Sequence, residues 1–523
     1  MNNKVIVSKN SSLFHHFSKG KDHLSVNETR NFLITQGFLL DDPRWTTCYE
    51  HLTTLEKVDE ESFNKIFCQR LGDLSKAALN ELIIPEFSEF CEEIDNIFYE
   101  AKKNKEGNNA EYIPQLARVD PEKFGISLCT IDGQRFNLGD YEEDFSIQST
   151  SKPIAYAIAV ETEGEEYVHN HVDREPSGQA FNAMALTPDK IPYNPMVNSG
   201  AIMVASLIER ESESSKRFES VLKWYKRLAG GLKPGFCNSV YLSEKMTADK
   251  NFSLAYMMKS VGSFPKGVDI SSTLEFYFQC CSIEMNCKSM SVIASTLANG
   301  GICPLTHERV LSTKTTRAVL SLMFSCGMYD YSGQFAFTVG LPAKSGVSGI
   351  IMLVVPGVAG FAIWSPRLDK YGNSVRGIDF CNKLTEKFNF HNFDNLLNGD
   401  DVSKKDPRKK SKTSKQKVIT EFLYGCMEND ANTIKRMIMS GVDVNLMDYD
   451  RRTGLHIAAS EGFEEIIELL VKHGADASIK DRWNSTPIDD AIRLNKIKIA
   501  DILTESLKAK KSRTNSDTEV NQK

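Results

Sequence analysis

Ser149 and Lys152 are the two residues of this chain whose types and spacing best suit covalent chemistry. They lie where an alternating apolar run, Phe145 and Ile147, ends and a helical pattern starts at Pro153. Proline fits the first turn of a helix because its missing N–H would have no partner there. The pattern therefore predicts a strand-to-helix turn at Ser149, with Lys152 on the same helix face. A serine hydroxyl becomes a nucleophile when a base accepts its proton, and a desolvated lysine is such a base.

A serine and a lysine at a helix start are, taken alone, more often a cap and a solvated charge. A second stretch, residues 343–349, changes that balance. It combines Lys344 with small residues and precedes a buried strand, so a substrate there would lie close to backbone N–H groups. A Ser-x-x-Lys sequence followed far downstream by Lys-Ser-Gly is the pairing found in serine β-lactamases and penicillin-binding proteins. Together the two stretches predict a site for acyl transfer.

The composition of the 523-residue chain is that of an ordinary globular protein: 41% hydrophobic, 25% charged, net charge −6. This composition supports a large core and argues against general binding to nucleic acid or to a membrane surface. The longest apolar run, residues 349–366, is interrupted by Gly, Pro and Ser, so no membrane span is predicted. The 12 cysteines contain no Cys-x-x-Cys spacing, and no metal site is predicted.

Residues 22–105 carry helical periodicity and are interpreted as a four-helix, EF-hand-like module. One apolar stripe recurs at helical spacing through Phe87, Phe90, Cys91, Ile94, Ile97 and Phe98. No EF-hand loop sequence is present, so calcium binding is not expected. Residues 1–21 contain lysines and serines but no acid, and are predicted to be a flexible N-terminus. A mitochondrial presequence and plain disorder both fit this segment.

Residues 110–395 change to a mixed α/β pattern. A hairpin is predicted over 124–136, followed by a long helical stretch from Ser149 to about residue 330. Strands are predicted again from Phe335 to Ser365, and a helix over 375–388 closes the region. Early and late strands on one sheet, with a helical insertion between them, make a single α/β domain.

The last part of the chain combines a linker, a repeat and a tail. Residues 399–416 are basic and poor in apolar residues, as in a solvated linker. Thr453 and Thr486 stand 33 residues apart within similar surroundings, a period typical of ankyrin repeats. About three such repeats are predicted over 417–510, where they would bind a partner protein. Residues 511–523 are predicted to be a disordered tail.

The region 110–395 resembles the animal glutaminases. The motifs that carry the resemblance lie at residues 112–116, 148–153, 194–201, 327–330, 333–336 and 340–347. A helical N-terminal module and C-terminal ankyrin repeats belong to the same architecture, so the resemblance covers nearly the whole chain. It implies a serine β-lactamase-like catalytic domain between two all-α parts.

The resemblance implies hydrolysis of L-glutamine to L-glutamate and ammonia through a glutamyl-Ser149 intermediate. Lys152 would act as the base, and Tyr329 would pass a proton to the leaving ammonia. The backbone N–H groups of Ser149 and Val347 would form the oxyanion hole.

A free amino acid also needs its charged head group held. Glu244 is the implied partner of the substrate ammonium, because a buried cation needs a paired charge. The further substrate contacts implied by the resemblance are Tyr112, Gln148, Asn198, Asn251 and Tyr277. No metal or organic cofactor is implied, and inorganic phosphate is implied only as an activator.

The resemblance also implies self-association to a dimer or tetramer and a mitochondrial location, with a cytoplasmic location as the alternative. One departure concerns residues 177–189, a loop between dimers in this family. In the family this loop often has an aromatic residue at its centre, whereas this chain has Met184, Ala185 and Leu186 at that place. The implied tetramer and its phosphate activation therefore have less support than the chemistry.

Two other functions remain open at this point. A serine amidase of different specificity would share the Ser149 chemistry, although Glu244 favours an amino-acid substrate. An ankyrin scaffold with a vestigial catalytic unit would need no chemistry, although Ser149, Lys152, Tyr329 and Glu244 are all in place.

Overall fold

The structure is a computed structural model and describes residues 13–15, 17–18, 21–180, 182–394, 404–409, 411–439 and 441–520. These residues form two compact units. The first unit comprises the described residues up to 386 together with 390–392, and the second comprises those from 393 together with 387–389.

The N-terminal part of the first unit is helical. Strand β1 (Leu24–Ser25) pairs antiparallel with β2 (Lys57–Val58). The helices are α1 (Val26–Thr35), α2 (Thr46–Thr53), α3 (Glu60–Phe67), α4 (Leu71–Ala78) and α5 (Phe87–Lys102). Side chains at Ser25 and Asp59 accept hydrogen bonds from the first turns of α1 and α3, which explains where these two helices start. The EF-hand-like arrangement stays a prediction.

Helices α1 to α4 share one hydrophobic core, and the core includes residue 14 of the predicted flexible N-terminus. Phe14 is buried there, with its ring centroid 5.8 Å from that of Phe63. An aromatic side chain that reaches a neighbouring core is removed from water, whatever the polarity of the segment around it. Residues 1–12, 16, 19 and 20 of the predicted flexible segment lie outside the described residues.

Helix α5 has a different partner from the one predicted. All six residues of its apolar stripe are buried, as predicted. However, Phe98 stacks on Phe124 of the α/β region at 4.5 Å, and Phe90 contacts Phe390 edge-on. The helix therefore covers the sheet rather than completing a four-helix core. Helical periodicity shows that one face is buried but carries no information about what buries it.

The α/β region is built on two sheets. Its strands are β3 (Gly125–Thr130), β4 (Arg135–Gly139), β5 (Phe145–Ser146), β6 (Gly235–Phe236), β7 (Ile283–Met285), β8 (Ala343–Ser345), β9 (Ile350–Val355) and β10 (Ala359–Trp364). The main sheet is antiparallel in the order β4-β3-β10-β9-β8, and β5-β7-β6 form the smaller one. The predicted hairpin and the sharing of one sheet by early and late strands are both confirmed.

Helices fill the space between the early and late strands and close the region. They are α6 (Pro114–Ala117), α7 (Ser151–Glu163), α8 (Glu165–His169), α9 (Asn198–Leu207), α10 (Ser214–Leu228), α11 (Asn238–Met246), α12 (Asp249–Ser260), α13 (Ile270–Cys281), α14 (Cys287–Ala298), α15 (Thr313–Cys326), α16 (Ser332–Thr338) and α17 (Val375–Lys387). Helix α14 packs across β3 and β10. A Cβ at Gly360 would lie 2.1 Å from the Ser295 backbone nitrogen, so this close approach requires glycine.

The prediction of strand from residue 335 is wrong for residues 335–338, which belong to α16. Phe335 is buried and Phe337 is exposed in this short helix. Two apolar residues two positions apart fit a strand, but so short a run does not exclude a helical turn.

The second unit consists of α18 (Ser411–Met427), α19 (Ala431–Met439), α20 (Gly454–Glu461), α21 (Glu464–Lys472), α22 (Pro487–Arg493) and α23 (Ile497–Val520). Thr453 and Thr486, the repeated threonines, each begin a helix with a reciprocal capping box. Within the first of these, His456 Nδ1 accepts from the Thr453 N–H, and Nε2 bonds to the Ser485 carbonyl at 3.1 Å. The repeated residues are therefore structural.

Two predictions about this unit differ from the structure. Helix α18 begins inside the predicted linker 399–416, of which residues 399–403 and 410 lie outside the described residues. Helix α23 continues to Val520, through most of the predicted disordered tail 511–523, and residues 521–523 are not described. Neither Gly nor Pro interrupts the last turns of α23, although Ser, Thr, Asn and Asp in them have low helix propensity. Among the described residues, no helix combines the length and apolar content needed to cross a membrane.

A buried ion pair attaches the N-terminal helices to the main sheet. Arg44 bonds to Asp42 at 2.8 Å, and both side chains are almost fully buried. The guanidinium also donates to the carbonyl oxygens of Asp132 (2.8 Å) and Gly133 (2.7 Å), in the turn between β3 and β4. Desolvated charges of this kind persist only when their hydrogen bonds are satisfied.

Replacing Arg44 by Ala should lower the free energy of unfolding by about 3–5 kcal/mol, because the buried Asp42 would lose its closest charged partner and keep only Arg135, at 3.9 Å. The matched control is Lys76→Ala, which removes a half-exposed ion pair to the side chain of the same Asp132. That change should cost less than about 1 kcal/mol. Denaturant titrations measure both, and equal losses would contradict this account of the attachment.

Candidate active site

Ser149 lies in a one-turn 3-10 helix, Gln148–Thr150, between β5 and α7. This is the predicted strand-to-helix turn. Thr150 fixes the turn by donating from Oγ1 to the Ile147 carbonyl at 2.6 Å. Gln148 has φ +48°, a left-handed conformation that costs a non-glycine residue on the order of 1–3 kcal/mol. Ser149 itself is only half-buried while its neighbours are buried, so its hydroxyl faces an accessible space.

Lys152 is buried in the first turn of α7. Its ammonium donates to Asn198 Oδ1 at 2.6 Å and to the Met196 carbonyl at 3.3 Å. Burial disfavours the charged form and lowers the pKa of Lys152 from 10.5 to about 8. A substantial fraction of this side chain is therefore neutral at mildly alkaline pH and able to accept a proton.

Tyr329 reaches Ser149 from a distant part of the chain. It starts the 3-10 turn Tyr329–Tyr331 with φ +54°. Burial raises the pKa of its phenol, and the side chain of Ser149 lies close enough to oppose this increase. The ammonium of Lys344 lies over the phenol ring, 4.4 Å from its centroid. Burial, followed by the charge of Lys152, holds the pKa of Lys344 well below its usual value.

Glu244 is a nearly buried carboxylate on α11. Its Oε1 accepts from the Tyr112 hydroxyl at 2.6 Å and from Gln148 Nε2 at 3.0 Å. Burial raises the pKa of Glu244, and the two hydrogen bonds oppose this increase. Tyr277, buried on α13, is close enough for the Glu244 charge to raise the pKa of its phenol, after the larger effect of burial. The Glu244 carboxylate, with these side chains around it, is suited to binding a cation.

Asn198 links the lysine to a second polar side chain. Its Oδ1 accepts from Lys152, and its Nδ2 donates to Asn251 Oδ1 at 3.1 Å. Asn194 positions this part of the site, because its Oδ1 accepts from the Met196 and Val197 N–H groups just before α9. These bonds explain why the motif 194–201 is rich in amides.

Val347 lies in the turn after β8, against the turn that carries Ser149. A Cβ added at Gly346 would lie 2.8 Å from the Ile147 carbonyl oxygen, so glycine allows the two turns to touch. A Cβ added at Gly372 would lie 3.8 Å from both a Tyr329 ring atom and a Val347 methyl group. Val347 and Tyr329 therefore line the same space.

The structure brings the predicted site residues together in three connected groups. Ser149 lies close to Tyr329; Lys152 connects through Asn198 to Asn251; and Gln148 and Tyr112 bond to Glu244, with Tyr277 beside them. No cluster of His, Cys, Asp and Glu suited to a metal ion occurs within the described ranges.

Sequence reasoning missed two features of the site. Cys281, considered a core thiol, has its pKa raised by burial and by the charge of Glu244, and the side chains of Tyr277 and Ser151 lie close enough to oppose this increase. Its position four residues after Tyr277 on a helix was the available signal. The left-handed conformations of Gln148 and Tyr329 carry no sequence signal, because neither residue is glycine or asparagine.

A half-buried serine, in contact with a tyrosine and one helical turn from a buried lysine of lowered pKa, is suited to nucleophilic acyl transfer. With the α/β fold, this arrangement resembles the sites of serine hydrolases. The family profile described as glutaminase matches residues 107–393, more than half of the sequence. The chain belongs to the glutaminase family.

Individual relatives agree with this membership. The chain is 43% identical to the mitochondrial liver isoform of glutaminase from Mus musculus, over 94% of this chain and 83% of that protein. It is 44% identical to putative glutaminase 2 of Caenorhabditis elegans, over 90% and 80% of the two chains. The solved structure of a probable glutaminase, ybaS, is 34% identical, with a TM-score of 0.55 over 58% of this chain and 97% of that one. A profile for ankyrin repeats in three copies matches residues 422–515.

Proposed function

We propose that the chain hydrolyses L-glutamine to L-glutamate and ammonia through a covalent intermediate on Ser149. The observation that carries this proposal is the half-buried Ser149, which lies close to the buried Tyr329 phenol and one helical turn from the buried Lys152. Family membership supports the substrate, and the printed name of each relative above is that of a glutaminase.

Lys152 accepts the Ser149 proton as the serine oxygen attacks the side-chain amide carbon. The pKa of about 8 leaves enough of the lysine neutral for this step and lets it release the proton again. The tetrahedral oxyanion is stabilised by the N–H groups of Ser149 and Val347, since the turns that carry them are in contact. Tyr329 relays the proton held by Lys152 to the amide nitrogen: the phenol gives its proton to the nitrogen and receives that of Lys152, and ammonia leaves. Water then cleaves the glutamyl ester and regenerates Ser149.

Glutamine is selected by its head group. Glu244 receives the α-ammonium, because a desolvated carboxylate gains most from a cation that enters with the substrate. Tyr112 and Gln148 orient that carboxylate through their hydrogen bonds. Asn198, Asn251 and Tyr277 complete the contacts to the substrate. The mechanism uses no metal or organic cofactor, and inorganic phosphate is proposed as an activator on family resemblance.

The remaining parts of the proposal concern architecture and setting. The catalytic region is proposed to be serine β-lactamase-like, supported by the helical insertion between strands of one sheet. The N-terminal helices are proposed to be EF-hand-like, supported by the pairing of the short strands that precede α1 and α3. A dimer or tetramer, a protein partner on the ankyrin repeats and a mitochondrial location are proposed from the resemblance and from the printed names of the relatives.

Ser149→Ala should lower kcat for ammonia release from L-glutamine by at least about a thousandfold, because the nucleophile is lost. Thermal unfolding should stay near that of the parent protein, since the half-buried hydroxyl contributes little packing. Parallel assays with L-asparagine and a chromogenic β-lactam test the choice of substrate. Activity within tenfold of the parent would remove Ser149 from its proposed role.

The acid limb of the pH profile of kcat should reflect the ionisation of Lys152. Since the base must be unprotonated, kcat should rise with pH and level off above about 8, the pKa that burial gives this lysine. Lys152→Arg should be inactive throughout the range, because a guanidinium does not lose its proton. A maximum well below neutral pH would instead indicate a carboxylate base.

Glu244→Gln should lower kcat/KM for L-glutamine by about ten- to a hundredfold, corresponding to the loss of a charge-assisted hydrogen bond of about 1.5–3 kcal/mol. The control is Glu275→Gln, the same chemical change at a half-exposed glutamate paired with Lys245, the neighbour of Glu244. The control should leave kcat/KM near that of the parent. If both variants keep parental kinetics, Glu244 does not bind the head group.

A further inference from the structure

Residues 369–374, here called the 369–374 loop, form a closed turn between β10 and α17. The Asp369 carboxylate accepts the N–H groups of Tyr371 (2.8 Å) and Asn373 (2.9 Å) through Oδ1. The backbone N–H of Asp369 donates to the Asn373 carbonyl at 2.8 Å, which closes the turn. Ser374 anchors the end of the loop by donating from Oγ to the Ser365 carbonyl at 2.9 Å. These bonds make the loop a rigid support.

Asn373 projects from this support to the backbone of the site. Its side chain is fully buried, and Nδ2 donates to the Met328 carbonyl at 3.3 Å. Its Oδ1 has no hydrogen-bond partner among the residues that the structure describes. The Asn373 side chain thus bonds to the peptide group that precedes Tyr329.

That peptide group is where the backbone enters an unfavourable conformation. Tyr329 has φ +54°, which a bulky aromatic residue adopts only under restraint. The Met328 N–H donates to Ser332 Oγ at 2.9 Å, and this hydroxyl donates to the Tyr329 carbonyl at 2.6 Å. With Asn373 on the Met328 carbonyl, side chains hold both polar groups of the Met328 backbone.

The same loop also passes beside the catalytic side chains. Gly372 has φ +90°, and a Cβ there would lie 3.8 Å from both the Tyr329 ring and Val347. The loop therefore supports Tyr329 at its backbone and lies alongside its ring. Without the Asn373 bond the Met328 carbonyl would keep only the Tyr331 N–H, at 3.1 Å, and the phenol would be held less firmly toward Ser149.

We propose that Asn373 is a positioning residue that directs the Tyr329 hydroxyl to Ser149 through the Met328 carbonyl. The inference rests on the role proposed above for Tyr329. It places Asn373 in the proton-transfer step and outside substrate binding. A change at Asn373 therefore acts on kcat and leaves KM nearly unchanged.

Asn373→Ala should lower kcat for L-glutamine by about ten- to a hundredfold, since a misplacement of about 1 Å costs on this order. KM should stay within about threefold of the parent value. The control is Ser312→Ala, which removes the bonds of the Ser312 hydroxyl to the N–H and the hydroxyl of Thr315, at the opposite end of the helix that leads to Met328. The control should keep the parental kcat. If Asn373→Ala does not fold, Asn373→Ser, which retains a hydroxyl, takes its place.

A double-mutant cycle separates positioning from general destabilisation. If Asn373 acts through the phenol, its replacement should change kcat by less than about twofold once Tyr329→Phe has removed that hydroxyl. An undiminished effect in the Tyr329→Phe background would overturn the inference, and so would a parental kcat for the single Asn373 variant. Both results leave the proposed function intact if Tyr329→Phe alone is impaired. A parental kcat for Tyr329→Phe would overturn the proposed relay and the inference together.

Discussion

The burial of Lys152 is the constraint on which the rest of the site depends. An ammonium group removed from water is stable only with good hydrogen-bond acceptors, and here these include the neutral oxygens of Asn198 and Met196. Neutral acceptors satisfy the donors without restoring the usual pKa, which a carboxylate would do. The surrounding helices supply burial on all sides, and the amides of the 194–201 motif supply the acceptors. The ability of Lys152 to act as a base thus follows from the neutral groups that surround its side chain.

A second constraint is backbone strain on both sides of Ser149. Gln148 and Tyr329 come from distant parts of the chain, and each adopts a left-handed conformation that its side chain disfavours. Gln148 bonds to Glu244 and Tyr329 lies close to Ser149, so each strained residue makes a contact of the site. The folded core holds these conformations in place, which is how strain persists at functional sites.

The parts of the structure that could be predicted from the sequence are those with local signals. The turn at Ser149 follows from an apolar alternation that stops before a proline, and the hairpin of β3 and β4 from its turn residues. Glu244 and Asn251 were reached only through resemblance, because a single glutamate or asparagine has no periodic signal. The partner of α5, the helix at Phe335 and the length of α23 were misjudged where tertiary packing or helix propensity decided the outcome. The support from Asn373 depends on a contact across 45 residues, beyond any local pattern.

The order of strands in the main sheet has a consequence for synthesis on the ribosome. Strand β3 pairs with β4, its immediate successor, but its other edge pairs with β10, whose last residue is Trp364. At a synthesis rate of about 5–20 residues per second, that edge of β3 remains unpaired for on the order of ten seconds or more before β10 is made. An exposed strand edge is a template for pairing with other chains. The nascent protein therefore needs its first half shielded, by a chaperone or by its own helices, until the second half emerges.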